Sequence, residues 1–446
     1  MTSIASSARS APISGPSADH VEAVYTKVGW RLMPLLIICY MIAYLDRVNI
    51  GYAQLQMKQT LPFGDAAYGL GAGIFFVGYF LFEVPSNLML EKIGARKTLL
   101  RIMFCWGVVA TGMMFVATPT QFYVLRFLLG AFEAGFFPGI ILYLTYWYPP
   151  VRRGQMIAIF MSATTLVSII AGPLSGATMK YLDGVNGWHG WQWLFLIQGL
   201  PASVLGIVAF CYLQDKPEDA KWLNAAEKKV LRDHLDHDQG LIKAGHETSF
   251  WQLLRDPKVY VLALAYALSL GAIYTMVFWI PTLVQSWGVK DLLLIGIYAG
   301  IPNIFGVIGM VLIGRSSDRH QERRWHYVGA SLIAAVGLGI TTLTTGSVFW
   351  SVAALSFATI GIASVTPLFF TITSEYLPKA AAAGGIALIS SLGNLGPSVS
   401  PVVTGAINTR TGSPVYSMYL VMAMFVLAAL IVLVAVRSNV KPRARS

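Results

Sequence analysis

NLMLEKIGARK at residues 87–97 and GRSSDRHQERR at residues 314–324 are two copies of one short segment. Aligned without gaps, Asn87 meets Gly314, Glu91 meets Asp318, Lys92 meets Arg319, Arg96 meets Arg323 and Lys97 meets Arg324. Each copy sets an acid at the end of an apolar run against bases across a short loop, a contact that can lock one conformation. Membrane anchoring of basic loops explains the bases but not the repeated acid. Matched loops at corresponding places in two halves of a chain indicate an internal duplication. Glu91, Arg96, Asp318 and Arg323 are therefore candidate gating residues.

The sequence around these loops is that of a membrane protein. Hydrophobic residues make up 56% of the 446 and charged residues 12%, about half the roughly 25% charged content of ordinary globular chains. Mean hydropathy is +0.62. A bilayer helix needs about 20 apolar residues. Twelve such runs lie near 31–52, 67–90, 98–118, 121–146, 155–180, 191–213, 257–284, 292–313, 327–346, 349–374, 381–407 and 415–436. The expected organisation is a disordered tail over 1–28, a six-helix bundle over 29–213 and a polar linker over 214–256. A second six-helix bundle over 257–436 and a basic tail over 437–446 follow. In the linker, Asn224 is expected to cap a short amphipathic helix with Val230, Leu231 and Leu235 on one side.

A net charge of +11 raises nucleic acid as a partner. Sorting the bases removes that need. With the N-terminus in the cytoplasm, only Lys58, Lys180, Lys290 and Arg410 of the 32 lysines and arginines fall outside, and Arg47 and Arg126 fall within spans. The rest lie in cytoplasmic segments, which predicts a bacterial inner-membrane protein with both termini inside. Cys39, Cys105 and Cys211 sit in apolar runs as packing residues, and no metal or cofactor is expected.

The duplicated loop resembles the signature G-x-x-x-D-R-x-G-R-[KR] of the major facilitator superfamily. The first copy departs from it at Asn87 and Glu91, the second at Gln321. YLDRVNIGYA (44–53), FFVGYFLFEVPSN (75–87) and RFLLGAFEAGFFPGIILYLTYWYP (126–149) are similar to the anion:cation symporters within it. LDGVNGWHGWQWLFLIQGLP resembles their bacterial carriers of 4-hydroxyphenylacetate, phthalate and tartrate. The resemblance implies an all-α fold of twelve transmembrane helices in two pseudo-symmetric six-helix bundles, acting as a monomer. It also implies proton-coupled uptake of a small organic anion, an aromatic acid or a hydroxy or sugar acid.

A charge at mid-membrane costs roughly 2.5–3.5 kcal/mol on insertion scales. Asp46, Arg47, Glu83, Arg126 and Glu133 bear that cost in the first half, and the second has little comparable. Arg126 and Glu133 are two helical turns apart and share a face, whereas Asp46 and Arg47 point about 100° apart. One arrangement turns Asp46 toward Arg126 and leaves Arg47 on the central cavity, where its guanidinium can grip a carboxylate. A static ion-pair network holding the first and fourth spans is the alternative. No histidine falls in a span, so a proton must cross on a carboxyl. The resemblance implies protonation at Asp46 and Glu133 and substrate contact at Arg47, Tyr79 and Asn394. Thr164 and Tyr274 are further cavity candidates, each equally readable as packing.

Two rivals stand beside symport. AGPLSG (171–176) partly matches an antiporter signature, which suits drug efflux, although Ser168 replaces its first glycine. An enzyme would need a motif such as H-E-x-x-H or a P-loop, and neither occurs.

Overall fold

The structure is a computed structural model describing residues 18–243, 254–377 and 382–436. The first half contains α1 (Ala18–Thr60), α2 (Asp65–Ile93), α3 (Ala95–Gly112), α4 (Pro119–Glu133), α5 (Phe136–Thr145), α6 (Pro150–Tyr181) and α7 (Gly190–Tyr212). The linker helix α8 (Ala225–Lys243) follows. The second half contains α9 (Pro257–Ser286), α10 (Leu292–His320), α11 (Arg324–Leu343), α12 (Val348–Tyr376), α13 (Ala382–Gly393), α14 (Leu395–Thr411) and α15 (Pro414–Ala435). No strand occurs among the described residues. Twelve segments are long and apolar enough to cross a membrane, α4 with α5 and α13 with α14 each forming one.

Two expectations change in detail. The helix begins at Ala18, inside the stretch expected to be a tail. Val21, Val24, Tyr25 and Val28 are buried along one side of this extension, and Lys27 pairs with Glu227 of α8 at 2.8 Å. The extension is thus ordered by the linker helix, whose N-terminus forms the expected cap. Asn224 Oδ1 accepts from the Glu227 amide, and Glu227 Oε2 accepts from the Asn224 amide, both at 2.8 Å.

The fourth span is broken rather than continuous. Thr118 and Gln121 form a capping box, and Pro119 opens α4. The helix ends at Glu133 because Gly135 takes a left-handed φ of +86°. Pro138, with no N–H, cannot donate back to Ala134, so the chain restarts as α5. A residue larger than glycine at 135 would also strike the Ser86 side chain at 2.6 Å.

The halves meet along two seams. α6 packs on α10 through Gly172 and Gly176 against Gly296 and Gly300, and α2 packs on α14 through Gly69 and Gly73 against Ser398, Pro401 and Gly405. Glycines four apart let backbones touch, which favours helix association in lipid. Gly69 and Gly73 stand 227 residues before Gly296 and Gly300, the same separation as Arg47 and Tyr274. It is also the separation of the duplicated loops, so loops and seams belong to one repeat.

Both seams lie toward the end carrying the 61–64, 182–189, 287–291 and 412–413 connections, here the loop end. There Lys180 pairs with Asp291 across the halves, and the Ala66 amide donates to Thr409 Oγ1 at 2.9 Å. At the opposite, terminal end, α5 and α11 pack mainly within their own halves.

A Cβ at Gly176 would collide with the Leu292 backbone. Gly176→Leu is expected to hold the loop end open, since overpacking costs about 1–3 kcal/mol and shifts a two-state balance about tenfold or more. Labelling of Gln54→Cys, buried between the halves, by an impermeant maleimide should rise accordingly. Unchanged labelling would remove the glycine seam as the seal.

The bond from Lys180 and the Leu294 amide hold the Asp291 carboxyl below its ordinary value. The pair therefore persists above the usual aspartate range, near 3.9, and is lost only as pH falls below it. Asp291→Asn should raise the same labelling by a smaller factor, unchanged between about pH 5 and 8. A steep pH dependence of that factor, taken as the ratio of variant to parent labelling at each pH, would refute this assignment.

Candidate functional site

Arg47 joins the two halves at the centre of the molecule. Its Nε donates to Glu133 Oε1 at 3.1 Å, and Nη2 donates to the same oxygen. Nη1 donates to the Tyr274 hydroxyl of α9 at 3.0 Å. Because α1 and α9 face each other across the pseudo-two-fold, equivalent residues meet at equal depth. Four residues on, Gly51 lies against Phe278, again 227 apart; a Cβ at Gly51 would sit 3.1 Å from the Phe278 carbonyl.

Glu133 is fully buried and its second oxygen, Oε2, has no partner. The break after Glu133 places this carboxylate at the end of a half-helix, beside the interface rather than inside a continuous span. Aromatic side chains wall the pair. The guanidinium carbon of Arg47 lies 5.6 Å from the Phe75 ring and 5.3 Å from the Tyr79 ring. Phe76 packs edge-on against Tyr274 at 4.7 Å, and Tyr40 stacks on Phe160 at 4.4 Å.

Asp46 does not pair with Arg126. Its Oδ2 accepts from Trp106 Nε1 at 2.7 Å, and its Oδ1 accepts from Asn49 Nδ2 at 3.0 Å. A buried indole N–H needs an acceptor, and the 100° turn from Arg47 aims Asp46 at α3, which supplies it. Arg126 donates instead to the Gly71 carbonyl at 3.1 Å and lies 4.8 Å from the Phe75 ring, leaving Nη2 without a partner. Phe75 thus lies beside both intramembrane arginines.

The remaining candidates are dispersed. Tyr79 flanks Arg47. Asn394, at the break between α13 and α14, faces the Glu83 carboxyl of the other half. Thr164 spends its hydroxyl on Met161 O of its own helix at 2.8 Å.

In the second loop copy, Arg323 bridges Asp318 at 2.6 Å and Glu375 at 3.1 Å. Among the described residues, the Arg96 side chain donates to the Phe210 carbonyl at 3.0 and 2.7 Å, and its amide to Asp215 at 2.9 Å. A similar carbonyl contact in the second half is Arg324 on Leu433 O, neither residue of which stands 227 after Arg96 or Phe210, so the two loops are not matched residue for residue here. The Glu91 side chain lies outside the described residues.

Sequence reasoning missed Trp106 and Asn49 as partners of Asp46, and the approach of Glu83 to Asn394. Asn49 carried a signal, lying one helical turn from Asp46; the other two join distant segments and carried none. The described residues hold no group of three or more His, Cys, Asp or Glu that could bind a metal ion.

A partly buried arginine shared by an acid of one half and a tyrosine of the other thus lies at the repeat interface, the region where substrate sites of two-repeat transporters form. The sequence matches the Major Facilitator Superfamily model over residues 36–401. The chain belongs to the Major Facilitator Superfamily. It is a transporter, as its named relatives in this superfamily are. A protein of Agrobacterium vitis provisionally named a tartrate transporter is 45% identical, over 96% of this chain and 94% of its own. The quinolone resistance transporter of Acinetobacter baumannii is 40% identical, over 90% and 92%. Among solved structures, an inward-facing, occupied bacterial homologue of the lysosomal transporter Spinster aligns with a TM-score of 0.75 at 17% identity, over 92% and 97%. That likeness concerns the superfamily fold alone.

Proposed function

We propose that this transporter carries a small organic carboxylate together with a proton, and that an aromatic acid suits its site best. The observation that carries the reading is the Arg47–Glu133 pair. A protein carboxylate occupies the guanidinium that a substrate carboxylate would use. Two carboxylates compete for one arginine, and protonating Glu133 removes the charge that holds its claim. Substrate then binds Arg47 through charge-assisted hydrogen bonds only when a proton is aboard. Asp46, held by the neutral donors Trp106 and Asn49, is a second proton site.

Tyr79 and Tyr274 offer hydroxyls, and the rings of Phe75, Phe76 and Tyr40 offer faces for stacking. The closed loop end and the separately packed helices of the terminal end correspond to one state of an alternating cycle, opened to the cytoplasm. Rocking the halves along the glycine seams gives the other. The organism's inner membrane, with both termini cytoplasmic, is the setting that the basic loops favour.

The test is uptake into proteoliposomes under an outside-acid gradient, with benzoate- and phthalate-type acids against tartrate and a sugar acid. Accumulation above that of protein-free vesicles, following the gradient and greatest for a ring-bearing acid, is the expected result. No gradient-driven uptake of any carboxylate would overturn the reading. A second reading, proton-driven efflux, is favoured by the quinolone resistance relative, because quinolones are themselves aromatic carboxylates. Gradient-driven extrusion of a quinolone from the same vesicles would support it.

A further inference from the structure

At the terminal end, the first turns of α1 and α6 leave a groove of about 380 Å³ between them, within the roughly 300–1,000 Å³ of small-molecule sites. Its mouth carries Glu22 and Arg152, and its floor is apolar, formed by Met33, Ile37 and Ile159. From Arg152 to Ile159 the helix rises about 10 Å, so the lining passes from charged to apolar over that depth.

Three observations point to a ligand. The Tyr148 hydroxyl, on a side chain only 1% exposed, lines the groove and has no hydrogen-bond partner. Gly29 stands before it; a Cβ there would lie 3.7 Å from that hydroxyl, and a larger side chain would fill the groove beside it. The flank is apolar and uncovered, Trp30 being 77% and Val151 91% exposed, which suits a face turned to lipid. At the mouth, Glu22 meets Arg152 Nη2 at 2.7 Å, and the Arg152 guanidinium lies 4.4 Å over the Tyr25 ring. Arg153 turns away from the groove to the Tyr148 carbonyl. The mouth therefore presents one acid and one base with no net charge.

We propose that this groove binds one phospholipid with a phosphoethanolamine head. The phosphate takes Arg152 and the Tyr148 hydroxyl, the ammonium donates to Glu22, and one acyl chain runs over Met33, Ile37 and Ile159. A phosphoglycerol head lacks a cation for Glu22, and a quaternary choline cannot donate to it. α1 and α6 both belong to the half carrying Arg47, so the lipid sits on a moving element at the end that must close in the alternate state.

The experiment is native mass spectrometry of the full-length protein in mild detergent with equal phosphatidylethanolamine, phosphatidylglycerol and phosphatidylcholine. One bound phosphatidylethanolamine is expected, preferred by about fivefold, the yield of one partly exposed charge contact. Arg152→Gln and Gly29→Leu should each reduce its retention by a similar factor, and Glu22→Gln should abolish the preference over phosphatidylglycerol. Equal retention of the three lipids by wild type, or unchanged retention in Arg152→Gln and Glu22→Gln, would overturn the proposal. So would displacement of the lipid by soluble glycerophosphoethanolamine at equal concentration, which would place recognition in the head alone. Should Gly29→Leu fail to elute as a single species, the wild-type selectivity and Glu22→Gln still decide.

Discussion

Glu133→Gln is expected to abolish proton-driven accumulation of the carboxylate while leaving counterflow exchange measurable. The glutamine keeps the volume of Glu133 and an oxygen that can accept from Arg47, so the buried cluster keeps its packing. It cannot ionise, so the guanidinium is never held by a competing charge. Substrate binding then no longer depends on a proton, and the halves can rock with substrate alone. One pH unit is worth about 1.4 kcal/mol, so a carrier coupled to one proton concentrates its substrate about tenfold per unit. In proteoliposomes that ratio should collapse to the level of the substrate gradient alone, with exchange of labelled for unlabelled substrate retained. Undiminished uphill uptake would remove Glu133 from the coupling. Asp46→Asn distinguishes the two carboxyls, because Asp46 has no arginine to release.

Arg47→Ala should reduce carboxylate affinity by roughly 100-fold, the effect of truncating one partner of a buried charged pair, about 3 kcal/mol. Part of that loss could arise from stranding Glu133 as an unpaired buried charge. The double variant Arg47→Ala/Glu133→Gln removes the stranded charge and isolates the contribution of the guanidinium. Thermal-shift titration with the transported acid reads both proteins. Restored affinity in the double variant would sink Arg47 as the carboxylate clamp and leave it a structural partner of Glu133. Tyr274→Phe, which removes only the hydroxyl accepting from Nη1, serves as a mild control.

Much of the architecture is legible along the chain because the bilayer imposes it locally. Each span announces itself by about 20 apolar residues, and each buried charge stands out against them. The repeat is equally legible, since Asn87 to Lys97 and Gly314 to Arg324 align by eye. Applied to Arg47, the same separation leads to Tyr274, the residue that the structure places against it. The break after Glu133 also had a signal, Gly135 and Pro138, although glycine and proline are tolerated in continuous membrane helices too.

The pairing of charges was not legible. Asp46, Arg47, Arg126 and Glu133 allow several ion pairs at helical spacing, and periodicity fixes only the direction in which each leaves its own helix. The chain by itself determined a duplicated twelve-span membrane protein whose few interior charges lie almost wholly in the first half. The tertiary structure decided that Arg47 takes Glu133, that Asp46 takes Trp106, and that Arg126 is left to a backbone carbonyl and the Phe75 ring. The reason is that partner choice between helices depends on their rotation and depth, set by glycine seams and a chain break rather than by any one helix. An apolar sequence specifies that a helix is buried; only its packed neighbours specify what each polar atom meets.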